Sequence, residues 1–243
     1  MKNQYFGDIN DYRKYGLLRG LAAGLGLPVG VCWMLTDADG SADGKWIRYL
    51  RQPERYRAHD PDLYDRLRGL LTPGVERTVT HARRWQLVPG ATYFEPLLGD
   101  DVLQRDAYFE QAQDALSGCP LLFFDPDNGI EVQSVRSGHR GAAKYLYWSE
   151  IKAAYAAGHS LVIYQHFPRV ERAPFVDRLV RQLRSRLLES RVAAYRTARV
   201  VFFLALRPVH AGGSGTADRL LEASWRNEIA RVRPARLRAA VVS

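Results

Sequence analysis

At 243 residues the chain is long enough to bury a large core, and with 47% hydrophobic and 25% charged residues it reads as globular, not disordered. No apolar run approaches the roughly 18 residues of a membrane span and no early segment has the form of a signal peptide, so a cytoplasmic protein is expected. The net charge of +9 is uneven: Arg172 to Arg238 holds 15 arginines against five acids, which suits a polyanionic partner such as RNA or DNA.

Only five of the 35 basic residues are lysines, so a chain-wide preference for arginine competes with phosphate binding as the explanation. The two cysteines, Cys32 and Cys119, lie in or beside apolar runs without a partner at metal-ligand spacing and read as reduced core residues.

In chain order, Asp8 or Asp11 caps a predicted helix that runs to about Gly24, with Leu17, Leu18, Leu21 and Leu25 on its buried side and Asp11 and Lys14 together on the other. Pro28 to Thr36 reads as a buried strand ending in DADGSADGKW, an acidic loop that includes Asp37, Asp39 and Gly40. A calcium-loop pattern begins at Asp39 but has Leu50 where its last glutamate belongs, which argues against calcium. Residues 49–103 are the expected helical or irregular insertion in a single α/β domain spanning 1–243. Within it His59-Asp60-Pro61 starts a helix and Arg77–Leu87 alternates like a strand. Arg105–Leu116 has the spacing of an amphipathic helix.

Leu121–Glu131, LLFFDPDNGIE, is the stretch around which the chain is organised. Four apolar residues read as a strand buried on both faces, and Asp-Pro-Asp-Asn-Gly then turns the chain out of the sheet. In open α/β sheets ligands bind at the carboxyl ends of strands, which makes Asp125, Asp127 and Asn128 candidates for chemistry. The same five residues also make a good turn and nothing more.

A polar loop follows over Val135–Ala143, then a helix that stops at Gly158, then a buried strand over Ser160–His166 ended by Phe167-Pro168-Arg169. Glu171–Ser190 is an amphipathic helix with Phe175, Leu179, Leu183 and Leu187 on one face and Arg178, Arg181 and Arg184 on the other. Val192–Tyr195 and Val200–Leu206 read as closing strands, antiparallel because too few residues separate them for a crossover. HAGGSGTAD reads as a flexible loop and Arg219–Arg231 as a last helix. The whole pattern predicts an α/β fold: a Rossmann-like sheet of methyltransferase type, mostly parallel with a C-terminal antiparallel hairpin, and helices on both faces. Thr36–Gly44, Asp125–Asn128 and Gln165–Arg169 are expected to meet at one sheet edge with Lys14 nearby.

The opening Gly7-Asp8-Ile9-Asn10-Asp11-Tyr12-Arg13-Lys14 resembles the G-x-x-x-D-x-x-K opening of the bacterial large-subunit ribosomal RNA adenine N6-methyltransferase family, and the order of later elements is similar. A bacterial family of uncharacterised activity carries the same GDxxDxxKY and FDPDNG signatures, and the chain resembles it as well. The methyltransferase resemblance implies S-adenosylmethionine as cofactor, with Lys14, Asp37, Asp39 and Gly40 at its site. Asp125 would orient the methyl acceptor, with Asp127, Asn128 and His166 beside it and His166 or Asp127 as base. The family's Asp-Pro-Pro-aromatic motif is here Asp125-Pro126-Asp127-Asn128, so the aromatic that stacks on the base has no counterpart at its usual place. Arg169, Arg178, Arg181 and Arg184 are the candidate nucleic-acid contacts.

Two other readings stand beside this one. A metal-dependent phosphodiesterase or nuclease would hold magnesium or manganese on Asp37, Asp39, Asp125 and Asp127. A non-catalytic nucleic-acid-binding module on the same fold would use only the basic surface, although crowded idle carboxylates, which repel one another, argue mildly against it.

Overall fold

Leu121–Phe124 is buried at all four positions, and the sheet is built outward from it. The structure is a computed structural model and describes residues 1–38, 44, 46–72 and 74–232. The helices in chain order are α1 (Ile9–Leu25), α2 (Pro53–Tyr56), α3 (Pro61–Leu70), α4 (Thr80–Arg84), α5 (Val102–Leu116), α6 (Trp148–Ala156), α7 (Arg172–Arg186) and α8 (Ser214–Trp225). The strands are β1 (Val29–Cys32), β2 (Thr92–Phe94), β3 (Leu121–Phe124), β4 (Gly129–Ile130), β5 (Tyr145–Leu146), β6 (Ser160–His166), β7 (Arg191–Arg196), β8 (Val200–Leu206) and β9 (Ala230–Arg231).

Seven strands form one mixed sheet in the order β2-β1-β3-β6-β8-β7-β9, and β4 pairs with β5 alone. β2, β1, β3 and β6 are parallel, with Cys32 opposite Phe124 and Phe124 opposite Ile163. β8 runs antiparallel between β6 and β7, so the closing hairpin expected from sequence is present. From β1 the chain moves outward to β2, and from β3 it moves the other way to β6. The order therefore reverses between β1 and β3, which opens a crevice beyond their carboxyl ends.

Alternation along the strands divides the core. Val31, Phe123, Val162 and Phe202 face a layer made by α1, α3, α4 and α8, while Cys32, Leu122, Ile163 and Phe203 face α5, α6 and α7. Helices thus cover both faces. Cys32 and Cys119 are free thiols in the second layer, and burial pushes the Cys32 thiol up to about 11.

α1 and α8 pack unusually close. A Cβ placed on Gly24 would lie 2.3 Å from Ala217 Cα and 2.4 Å from its nitrogen, both backbone atoms that cannot step aside. Gly24→Ala is expected to destabilise the protein by about 3 kcal/mol, the upper end of ordinary overpacking. Gly69→Ala, on the exposed side of α3 where an added methyl meets nothing within 4 Å, is expected to stabilise by about 0.5–1 kcal/mol. Urea denaturation of the two variants checks both signs.

Three local expectations change. Arg77–Leu87 contains α4 instead of a strand: Val79 and Ala82, buried three residues apart, follow helical spacing, and Gln86 at φ 49° then reverses the chain. The predicted strand over Pro28–Thr36 stops at Cys32, because Met34 at φ 46° turns the chain away, leaving one bridge from Leu35 to Leu97. The segment read as a flexible loop becomes a 3-10 turn over Pro208–Gly213 and the start of α8, and Arg219–Arg231 then holds the end of α8 and β9. Gly213 serves close packing: a Cβ there would sit 2.3 Å from the Gly24 carbonyl oxygen.

Candidate functional site

Beyond the carboxyl ends of β3 and β6 lies a cavity of about 420 Å³, roofed by the first turns of α1. Its geometry starts with the cap of that helix. Gly7, at φ 74°, turns the chain, and the Asp8 carboxylate accepts from the backbone N–H of Asn10 at 2.7 Å and Asp11 at 3.0 Å. Asp11 reaches back to accept from Gly7 N at 3.0 Å, so both acids are fixed before they meet anything else.

One turn on, Lys14 Nζ donates to Asp11 Oδ1 at 2.7 Å and to Asp125 Oδ2 at 2.6 Å, between the rings of Trp33 and Tyr164 at 5.4 and 5.2 Å. Its side chain is 3% exposed. Burial pulls the Lys14 pKa down, but the two carboxylates outweigh it and hold the amine charged. Burial raises the Asp125 carboxyl, and Lys14 offsets only part of that rise.

The amino group of Met1 completes the cluster. It donates to Met34 O at 3.1 Å and Asp125 O at 3.0 Å and lies 2.7 Å from Asp127 Oδ1. Burial works to raise Asp127, yet this ammonium and the Thr36 hydroxyl, which donates to Oδ2 at 2.9 Å, bring it below the usual carboxylate range. The strand end is therefore a set of carbonyl and carboxylate oxygens that encloses an amine.

Asn128 fixes the far wall. Its N–H donates to Lys144 O at 2.9 Å, and its carbonyl accepts from His166 N at 3.2 Å and Gln165 Nε2 at 3.0 Å. Gln165 also accepts from Ile130 N at 2.8 Å, so its side chain holds the turn in place. His166 is exposed at the rim, with Nε2 3.1 Å from the Tyr164 hydroxyl. Partial desolvation lowers its pKa, and the nearby cations Lys14, Met1 amine and Arg199 add to this against Asp127. Neutral imidazole is the favoured form near pH 7.

Asp125, Asp127, Asn128, His166 and Lys14 thus line one cavity. Asp37 is exposed beyond β1, and Asp39 and Gly40 lie outside the described residues. Arg169 is exposed beyond β6. Of the basic face of α7, Arg178 lines a second, larger groove, Arg181 is exposed, and Arg184 lines a cavity on the opposite flank and donates to Val192 O at 3.4 Å. Comparison with family models finds none that matches this chain, and comparison with curated proteins finds no significant relative.

Sequence reasoning gave no role to Trp33 or Trp46. Trp46 is 46% exposed and stands in the cavity wall with the Arg199 guanidinium 3.5 Å above its ring. An aromatic next to a glycine-rich acidic loop was the available signal. Asp8 was legible only as a cap, whereas burial and then the charge of Asp11 push its carboxyl up to about 7 against its backbone N–H bonds.

A raised folded-state pKa means that the stability Asp8 provides is full below about pH 4 and is lost as pH rises through 7. Asp8→Asn keeps a good cap and removes the titration. The variant is therefore expected to gain on the wild type between pH 5 and 8, by at most about 1.4 kcal/mol per pH unit. Guanidinium denaturation at the two pH values measures this, and a pH-independent difference would contradict it.

Proposed function

We propose that the protein is an S-adenosylmethionine-dependent methyltransferase-like protein that acts on or binds nucleic acid. The observation that carries the reading is the oxygen cluster of Asp125 O, Met34 O and Asp127 Oδ1 around the Met1 amino group, at the reversal point among the parallel strands of a mixed sheet. An exocyclic amine on a nucleobase offers such acceptors two N–H donors, one fewer than the Met1 ammonium and without its charge. Further support comes from the antiparallel closing hairpin, which a methyltransferase-type sheet carries, and from a cavity within the size range of small-molecule sites.

The cofactor, when bound, supplies an electrophilic methyl group. The chain's own part is positioning and proton removal. Asp125 and the fixed carbonyls beside it orient the acceptor amine, and Lys14 keeps that carboxylate charged. His166, uncharged and at the rim, takes the proton at Nδ1, its Nε2–H donated to the Tyr164 hydroxyl oxygen, which holds the ring. Trp46, from the loop after β1, supplies the aromatic surface that Asn128 does not. Thr36 and Asp37, with Asp39 and Gly40, are the candidate contacts to the methionine and ribose groups.

The magnesium or manganese alternative has less support. Among the described residues no three His, Cys, Asp or Glu side chains are grouped to hold a metal ion. Calorimetric titration with S-adenosylmethionine and, separately, with Mn²⁺ decides. The expected result is binding of the first with a rise in melting temperature, of about 2.7 kcal/mol in stability at a hundredfold excess over Kd. A response to Mn²⁺ alone would favour the nuclease, and a response to neither would leave no enzyme reading standing.

A further inference from the structure

The acidic cavity adjoins a groove of about 970 Å³, and Asn128 and His166 line both. The groove runs between α7, the start of α6 and the segment after β4. Its charge is one-sided. Arg178 and Arg186 line it, two helical turns apart with Gln182 between them, and among the described residues neither has an ion-pair partner. Its one carboxylate, Glu131, accepts the Trp148 backbone N–H on Oε1 at 2.9 Å, so two guanidinium groups face one acid.

The aromatic content is as distinctive. The Arg186 guanidinium lies 4.5 Å from the Trp148 ring centre, and Arg172, at the start of α7, lies 4.7 Å from that of Phe167; both rings line the groove and both are only partly buried. The cavity on the opposite flank of α7 differs. There Arg184, Arg226 and Arg231 stand among Asp177, Asp218 and Glu222, and Arg231 pairs with Asp218, so charge is balanced.

Unpaired guanidinium groups beside half-exposed aromatic rings, along a channel rather than on a flat face, are what a single strand of nucleic acid requires: cations for phosphates and ring faces for bases. A duplex keeps its bases stacked inward and out of reach of Trp148 and Phe167. We propose that this groove is the path of single-stranded nucleic acid, with Arg178 and Arg186 on its phosphates and Trp148 and Phe167 under its bases, leading one nucleotide past Asn128 and His166 to the acidic cavity. The strand path rests on the nucleic-acid part of the reading above and needs no cofactor.

The test is fluorescence anisotropy with end-labelled 12-nucleotide single strands of RNA and of DNA and with the matching duplex, over a range of salt. Arg178→Gln with Arg186→Gln is expected to weaken single-strand binding about tenfold or more and to lower the salt slope by roughly two phosphate contacts. Arg181→Gln with Arg184→Gln, on the same helix, is expected to stay within about twofold. Trp148→Leu, checked for an unchanged melting temperature, should weaken binding with little change in salt slope, since it removes stacking and no charge. Calorimetry of S-adenosylmethionine on the Arg178/Arg186 variant separates the two proposals, because the groove predicts unaltered cofactor binding. Equal losses from the two arginine pairs, duplex bound as tightly as single strand, or poly-glutamate competing as well as the oligonucleotide would each overturn the groove.

Discussion

Lys14→Met is expected to cost about 3–5 kcal/mol of folding stability, the loss typical of removing one partner from a buried ion pair. Methionine keeps much of the length and apolar volume of lysine, so the cost is mainly electrostatic. Asp11 and Asp125 would remain, each about 2% exposed, with their common cation gone and their charges facing each other. The side chains would respond by taking up protons, which makes the loss larger at pH 8 than at pH 5. Adding Asp11→Asn to the same chain is expected to recover part of it, because one of the orphaned charges disappears. Denaturation of wild type, single and double variants at both pH values forms the necessary cycle. A loss under about 1 kcal/mol would mean that water reaches the cluster and screens it as it does a surface pair.

That expected effect shows where sequence reasoning reached and where it stopped. Asp11 and Lys14 are three residues apart, and an i,i+3 pair on a helix usually lies in water; nothing local distinguishes it from one that is buried. In the fold, α1 is covered on nearly all sides by α8, α3, the end of β3 and the segment around Tyr49, so its polar face is as buried as its leucines. Burial of this kind is a property of the assembly. The strands β3, β6 and β8 were legible because a strand covered on both faces needs an unbroken apolar run, and the hairpin was legible because its connection is too short for a crossover.

The basic helix illustrates the middle case. Its apolar face, Phe175, Leu179 and Leu183, is buried as the spacing requires, and Arg178, Arg181 and Arg184 are exposed. Steps of three residues drift around a helix in the opposite sense to steps of four. Arg178 therefore shares its groove with Gln182 and Arg186, while Arg184 turns to the other flank. Which stripe lines the groove depended on where α6 and the β4 turn sit, and those positions are set by long-range contacts. One such contact is Arg105, buried in α5, which holds the far side of that turn through Glu150 and the carbonyls of Ala142 and Tyr145.

Asp125→Asn carries the functional reading furthest, because it separates stability from activity. Burial holds the Asp125 carboxyl above its ordinary range, so the folded protein works against desolvation to keep a charge there. The amide is nearly isosteric, still offers an oxygen to Lys14, and leaves Lys14 paired with Asp11. Folding stability is therefore expected to stay within about 1 kcal/mol of wild type or to rise, as is common when a charge kept for function is removed. Turnover has no such compensation. An amide offers the acceptor amine a weaker partner, and an imperfectly placed nucleophile costs about a hundredfold in rate. Methyl transfer from labelled S-adenosylmethionine to single-stranded RNA or DNA is expected to fall by about that factor, while cofactor affinity changes by no more than a few-fold. If the variant instead melts several degrees lower and transfers methyl groups at the wild-type rate, Asp125 is a partner for Lys14 and nothing more, and the acceptor must be held elsewhere in the cavity.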